Sequence, residues 1–173
     1  MADSPLKIRT YGDPVLRAVA RPVEKITPEL QQLARDMLQA MYAADGVGLA
    51  APQIGKSIRL VVIDVAREES ERNPIVFFNP EVFPDDESDL AIAEEGCLSV
   101  PDVWAEVARP DRVTVKALDI DGQPFEMTVE GHLARAVQHE ADHLDGRLFV
   151  DRISPTDRAM LQSKLKKMAR GRK

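Results

Sequence analysis

Cysteine is nearly absent from this chain. Cys97 stands alone among 173 residues, so no intramolecular disulfide is available and an oxidising compartment would contribute nothing to the fold. No run approaches the roughly eighteen consecutive apolar residues that span a bilayer, and Met1-Ala2-Asp3-Ser4-Pro5 lacks the basic-then-apolar plan of a secretory leader. The expectation is a soluble, cytoplasmic protein in a reducing compartment, with neither a membrane nor DNA as partner. Internal repeats and long Gly/Ser linkers are also missing. With 44% of its residues hydrophobic, a chain of this length supports one compact domain with a real core and is short for two. One domain over residues 1–173 is expected.

Charge is spread unevenly. The net charge is −6, yet residues 154–173 hold seven Lys and Arg against one Asp, or +6, which leaves −12 on residues 1–153. Such a tail suits a polyanion that the body would repel. It equally suits a solvated surface helix with a frayed end.

Thr27-Pro28-Glu29 reads as a cap, a first-turn proline and an acid matched to the helix dipole. Leu30, Leu33, Ala34, Met37, Leu38 and Met41 then keep helical spacing on one face, which predicts a core-packing helix. The pattern dissolves at Asp45-Gly46-Val47-Gly48, where two glycines predict a shaped loop. Residues 58–65 are rich in β-branched side chains and predict a strand, and 75–78 predict a shorter one before Asn79-Pro80. Residues 81–95 are acidic, with 84–89 expected as a surface loop. Residues 112–120 and 124–129 flank Asp121-Gly122, a strong hairpin signal, so an antiparallel meander is the economical reading.

Residues 131–144 switch to helical period, with Leu133, Val137 and Leu144 among small Ala134, Ala136 and Ala141. Ser154-Pro155-Thr156-Asp157 resembles a capping box opening a last, basic helix at about 154–170, whose Leu161, Leu165 and Met168 form a narrow apolar stripe. Strands and helices come in blocks rather than in strict alternation, which predicts an α+β fold with a largely antiparallel sheet.

His139-Glu140-Ala141-Asp142-His143 is HExxH on a predicted helix. Positions four apart share a face, so both imidazoles reach one metal ion with Glu140 beside it. In that chemistry the ion lowers the proton affinity of water, and the carboxylate takes the proton and later delivers it to the leaving amine. A solvated helical His-Glu pair is the bland alternative. Only three histidines exist in the chain, and two of them in this register favour a metal.

The third ligand decides the class. Gly146 begins to match the metzincin continuation, but Phe149 stands where that class needs its third histidine. No glutamate follows Glu140, which removes the thermolysin-like arrangement. His132 precedes His139 by about two turns, roughly 10 Å along a helix, too far to share the ion. Cys97, in Glu95-Gly96-Cys97-Leu98-Ser99, is left. A lone cysteine is a small buried hydrophobe or a ligand, and spacing alone leaves both open. A Cys-His-His site with one position open to water would be catalytic geometry rather than a closed structural site.

Three segments together resemble the peptide deformylase family: Gly46-Val47-Gly48-Leu49-Ala50-Ala51-Pro52-Gln53, Glu95-Gly96-Cys97-Leu98-Ser99 and Gln138-His139-Glu140-Ala141-Asp142-His143. They stand in the family's order and spacing, and the likeness runs from Asp13-Pro14-Val15-Leu16 to the C-terminal helix, as in the bacterial type with a helical tail. The resemblance implies an α+β fold of mostly antiparallel sheets around a central metal-binding HExxH helix, with further helices at the N- and C-terminal ends. It implies that Cys97, His139 and His143 hold the metal and that Glu140 is the general acid/base. Gln53, with the backbone N–H of Leu98, would stabilise the oxyanion formed as water attacks a formyl carbon, and donors aimed at developing charge accelerate rather than merely bind. Without the resemblance, Gln53 reads as an exposed loop amide.

The same resemblance places Gly46, Val47, Gly48, His132 and Ala136 around the substrate, with Val47 walling an apolar pocket for a methionine side chain and Arg135 nearby. Glu95 would orient a ligand. Trp104 stands where some bacterial members carry arginine; it either stacks at the cleft mouth or packs. The implied cofactor is one divalent ion per chain, Fe(2+) natively, with Zn(2+), Ni(2+) or Co(2+) also accepted by a thiolate and two imidazoles. The implied substrates are N-formylmethionyl nascent peptides, cleaved to release formate, with ribosome contact through the basic helix. A general HExxH metallopeptidase and a non-catalytic metal-binding module are the competing readings.

Overall fold

The computed structural model describes residues 6–171. Three helices, α1 (Pro28–Ala43), α2 (Gly131–Leu144) and α3 (Pro155–Arg170), accompany seven strands. These are β1 (Gly48–Ala50), β2 (Leu60–Ile63), β3 (Ile75–Pro84), β4 (Leu90–Cys97), β5 (Val100–Pro110), β6 (Arg112–Leu118) and β7 (Pro124–Glu130). One sheet has the order β1-β2-β3-β6-β7, and β4 and β5 form a second, with antiparallel strand pairing throughout both. The expected α+β class with antiparallel sheets is what forms.

The helices start where their side chains satisfy the free N–H groups. Thr27 Oγ1 accepts from Leu30 N at 3.3 Å and Pro28 occupies the first turn; such a cap contributes about 1 kcal/mol. Ser154 Oγ accepts from Asp157 N at 3.1 Å and donates to the Asp157 carboxylate at 2.7 Å. That cap opens α3, which anchors through buried Leu165 and half-buried Leu161 and Met168 on a cluster containing Val100, Val103 and Phe149. Residues 172–173 of the basic tail lie outside the described residues. No described helix is long and apolar enough to cross a membrane.

Strand β2 is buried at all four positions because alternate side chains enter two different cores. Leu60 and Val62 meet Met37 and Met41 of α1, whereas Val61 and Ile63 join the core that holds Ala134, Val137 and Leu144 of α2. A strand covered on both faces reads as a continuous apolar run. Helix α2 touches β1, β2, β3, β5, β6 and β7, which makes it the central element.

Several boundaries differ from the sequence reading, and the strand expected over 58–65 is shorter, Leu60–Ile63. Gly48 is the first residue of β1, paired with Ile63, rather than the end of a loop. Strand β3 does not stop before Asn79-Pro80 but runs on to Pro84, with the register shifting between Phe78 and Glu81. A bulge tolerates the proline. Asn79, at φ 52°, restores the lost pairing with its side chain: Oδ1 accepts from Val23 N at 2.7 Å and Nδ2 donates to Val23 O at 2.8 Å. The acidic stretch 81–95 is mostly strand, with only 85–89 outside β3 and β4. Its alternation was hidden because Leu90 and Ile92 face solvent, 66% and 68% exposed, while Glu95 faces inward at 5%.

Candidate metal centre

Two elements converge to build the site. Helix α2 projects His139 and His143 from one face, and the tight connection between β4 and β5 carries Cys97, Leu98 and Ser99 against it. The ligand atoms of Cys97, His139 and His143 lie within 4.8 Å of one another, with Cys97 Sγ 3.3 Å from His143 Nε2. His139 Nδ1 is 2.9 Å from Glu95 Oε2, a contact that leaves Nε2 to face the site and fixes the ring. His132 is exposed and outside the cluster. The donor set, one thiol and two imidazoles on rigid elements, fits a borderline-soft divalent ion.

Phe149, the residue that excluded the metzincin pattern, lies beside the site. Its ring is near-parallel to His139, with centroids 6.2 Å apart and planes at 24°. An aromatic ring thus lies alongside the imidazole.

Burial governs the electrostatics. Glu140 is 4% exposed, and burial pushes its carboxyl up to about 7, with the Glu95 and Asp142 charges adding to the rise against His139 and Arg109. Its Oε2 has no hydrogen-bond partner among the described residues. Burial lowers His139, but the hydrogen bonds to Cys97 and Glu95 outweigh it and hold this ring well above the usual range. Burial and the neighbouring His139 hold His143 well below it.

Behind His139 lies a charge network of which the sequence reading singled out only Glu95 as the residue orienting a ligand. Arg109 donates through Nε and Nη2 to Glu95 at 2.5 and 2.9 Å, and through Nη1 to Asp142 at 3.0 Å. Arg135 donates to Glu95 at 2.8 Å and to the carbonyls of Val107 and Ala91, tying α2 to the β4–β5 hairpin. Arg152 donates twice to Asp142, at 2.5 and 2.6 Å. Burial opposes ionisation of Glu95, yet the hydrogen bonds to Arg109 and His139 leave it well below the usual carboxylate range. One signal for Arg109 was present: the alternation Val103, Ala105, Val107, Arg109 puts a charge on the inward face of a strand.

The remaining expected site residues surround a cavity of about 530 Å³ lined by Gly46, Val47, Gly48, Gln53, Leu98, Trp104, His132, Ala136, His139 and Glu140. Gln53 is not an exposed loop amide: it is 1% exposed. Its Oε1 accepts from Ala50 N at 2.8 Å, which turns Nε2 toward Ser99 Oγ at 3.1 Å and Cys97 Sγ at 3.6 Å. Gly48 packs on the carboxylate of Glu140; a Cβ there would sit 2.4 Å from Oε1. Gly46 similarly abuts Leu98, with 2.8 Å from a built Cβ to Cδ1. Val47 is at the lip, 38% exposed, and Ala136 is buried.

A thiol and two imidazoles meeting beside a cavity, with a buried carboxylate at hand, define a metal-dependent hydrolase. The chain belongs to the polypeptide deformylase family, whose model matches residues 5–159. It is 48% identical over 167 residues to a peptide deformylase of Acinetobacter baumannii, covering 96% of this chain and 93% of that one. A peptide deformylase of Mesorhizobium japonicum is 51% identical over 158 residues, covering 91% and 89%. The crystal structure of a peptide deformylase from Legionella pneumophila superposes with a TM-score of 0.86 at 49% identity, covering 97% of this chain and 98% of that one. The family is metal-dependent, and this chain holds a candidate site for the ion.

Proposed function

We propose that this enzyme removes the N-terminal formyl group from formylmethionyl nascent polypeptides by hydrolysis, releasing formate. The observation that carries the reading is the meeting of the Cys97 thiol with both HExxH imidazoles beside a buried Glu140, in one cavity of a deformylase-family chain. Cys97, His139 and His143 would hold the divalent ion, which supplies Lewis acidity toward a carbonyl and toward water. Glu140, with one oxygen unpartnered, takes the proton of the attacking water and returns it to the leaving amine. Gln53 Nε2 and the backbone N–H of Leu98 donate to the oxygen on which negative charge develops. The hydrogen bond from Ala50 N holds the Gln53 amide in that orientation before substrate arrives. Gly46, Val47, Gly48, His132 and Ala136 surround the methionine and its backbone, with Val47 and Ala136 as apolar walls.

The resident ion in this reading is Fe(2+), with Zn(2+), Ni(2+) and Co(2+) compatible with the same donors. Protein prepared without oxygen is expected to carry iron and to release formate from a formyl-Met peptide, with loss on chelation and return on adding Fe(2+). Fully metallated protein that releases no formate would refute the function. The setting is the cytoplasm, at the site of translation. Exposed Lys166, Lys167 and Arg170 on α3 suit ribosomal RNA phosphate. Replacing all three with Gln spares buried Leu165 and is expected to weaken co-sedimentation with ribosomes; unchanged co-sedimentation would end that part.

A further inference from the structure

The cavity wall formed by residues 44–47 is held from outside the cavity. This segment leaves α1 through Asp45, at φ 54°, a backbone conformation that a non-glycine residue keeps where its surroundings impose it. On the α1 side, Gly46 N donates to Met41 O at 2.9 Å. On the far side, Val47 O accepts from the backbone N of Asp64 at 2.8 Å, the residue that follows β2. The place of Val47 at the lip is therefore set by Asp64.

Asp64 is fixed in turn by its own side chain. It is 4% exposed, and its carboxylate accepts three hydrogen bonds. Oδ2 accepts from the Tyr42 hydroxyl at 2.6 Å and from Asn73 N at 3.1 Å, and Oδ1 accepts from Ala66 N at 3.0 Å. Tyr42 lies in the last turn of α1, and the Arg72 guanidinium covers its ring, 4.0 Å from the centroid. Burial and the hydrogen bond to Asp64 push the hydroxyl up to about 12, so it stays a donor throughout the neutral range. A donor to a buried carboxylate counts for more than an ordinary hydrogen bond, because water does not replace it. Tyr42 precedes the wall and Asp64 anchors its end, yet neither lines the cavity and neither belongs to the cluster of candidate ligands.

We propose that Tyr42 and Asp64 are positioning residues for substrate binding: the Tyr42 hydroxyl holds the Asp64 carboxylate, Asp64 N holds the Val47 carbonyl, and the wall that receives the formylated first residue keeps its shape through that link. The inference rests on the deformylation reading, in which Val47 is an apolar wall of the methionine pocket. Loss of the hydroxyl loosens the wall and leaves the thiol, the two imidazoles and Glu140 in place.

The test measures kcat and KM for formate release from formyl-Met-Ala-Ser, with metal content, for wild type, Tyr42→Phe, Asp64→Asn and the double variant. Thr27→Ala, which weakens the cap of the same helix, serves as the control for stability. Tyr42→Phe is expected to raise KM about three- to tenfold, with kcat within about twofold of wild type and the metal content unchanged. Because both residues act through one link, the double variant should raise KM no further than the larger single variant. Thr27→Ala should leave KM alone, since lost stability lowers the folded fraction and with it the apparent kcat. An unchanged KM in Tyr42→Phe and Asp64→Asn would overturn the proposal, as would a fall in kcat alone, the mark of a purely structural hydroxyl. If Tyr42→Phe does not fold, Asp64→Asn carries the same comparison, and failure of both to fold would overturn the proposal by making the pair a determinant of the fold. Absence of formate with wild type would instead refute the hydrolysis itself.

Discussion

Glu140→Gln is expected to lower kcat for formate release by about 10²- to 10⁴-fold while the bound metal remains. The amide is nearly isosteric, so it fits the space left by Gly48, where a Cβ would lie 2.4 Å from Oε1. What it loses is the ability to accept a proton from water and hand it to the leaving amine. None of the three candidate ligands changes, so metal content measured on the same sample should match wild type. A variant that retains full activity would remove Glu140 from the reaction and favour an ion that only staples the fold. A variant that loses metal along with activity would make the carboxylate part of the binding site instead.

Arg109→Met is expected to lower the unfolding free energy by about 3 kcal/mol, at the low end of what breaking a buried ion pair costs. The Arg109 and Glu95 side chains are only 3% and 4% exposed, so water cannot replace the missing guanidinium. Arg135 and Arg152 still reach Glu95 and Asp142, which keeps the loss from being larger. Urea denaturation of metal-free protein isolates this effect from metal binding. A midpoint within error of wild type would show that the two remaining arginines suffice. The holo variant should also hold its metal more weakly, because Glu95 fixes the His139 ring and loss of such support typically costs 10- to 100-fold in affinity.

The network explains why part of the site was readable and part was not. HExxH declares itself because helical geometry is local: four residues make about one turn, and the two imidazoles must share a face. The caps at Thr27 and Ser154 and the Asp121-Gly122 hairpin are legible for the same reason, each being settled within a few residues. Cys97 was undecided by spacing, since what brings it to His143 is a hairpin whose partner helix lies more than forty residues away. Gln53 looked like a loop amide because no local signal reports that Ala50 N and Ser99 Oγ hold it. Strand β4 escaped notice because apolar Leu90 and Ile92 face outward while Glu95 is buried, the reverse of the pattern that marks a strand.

The likeness of three separated segments to the deformylases implied that the metal helix is central, while sequence by itself determined the α+β class, the helical pairing of two histidines with a carboxylate, and the basic character of the C-terminal helix. These follow from periodicity, capping and motif spacing, which act over one to four residues. Tertiary structure alone decided how Asn79 closes the bulge in β3, why Gly48 must be glycine, and that buried Glu95, Arg109 and Asp142 form one charge network with Arg135 and the more exposed Arg152. It also decided that Trp104 both packs, on Gly96, and faces the cavity mouth. Each of these depends on which distant segments meet, and the free energy of a buried charge or a close contact is set by all the groups around it rather than by its neighbours in the chain.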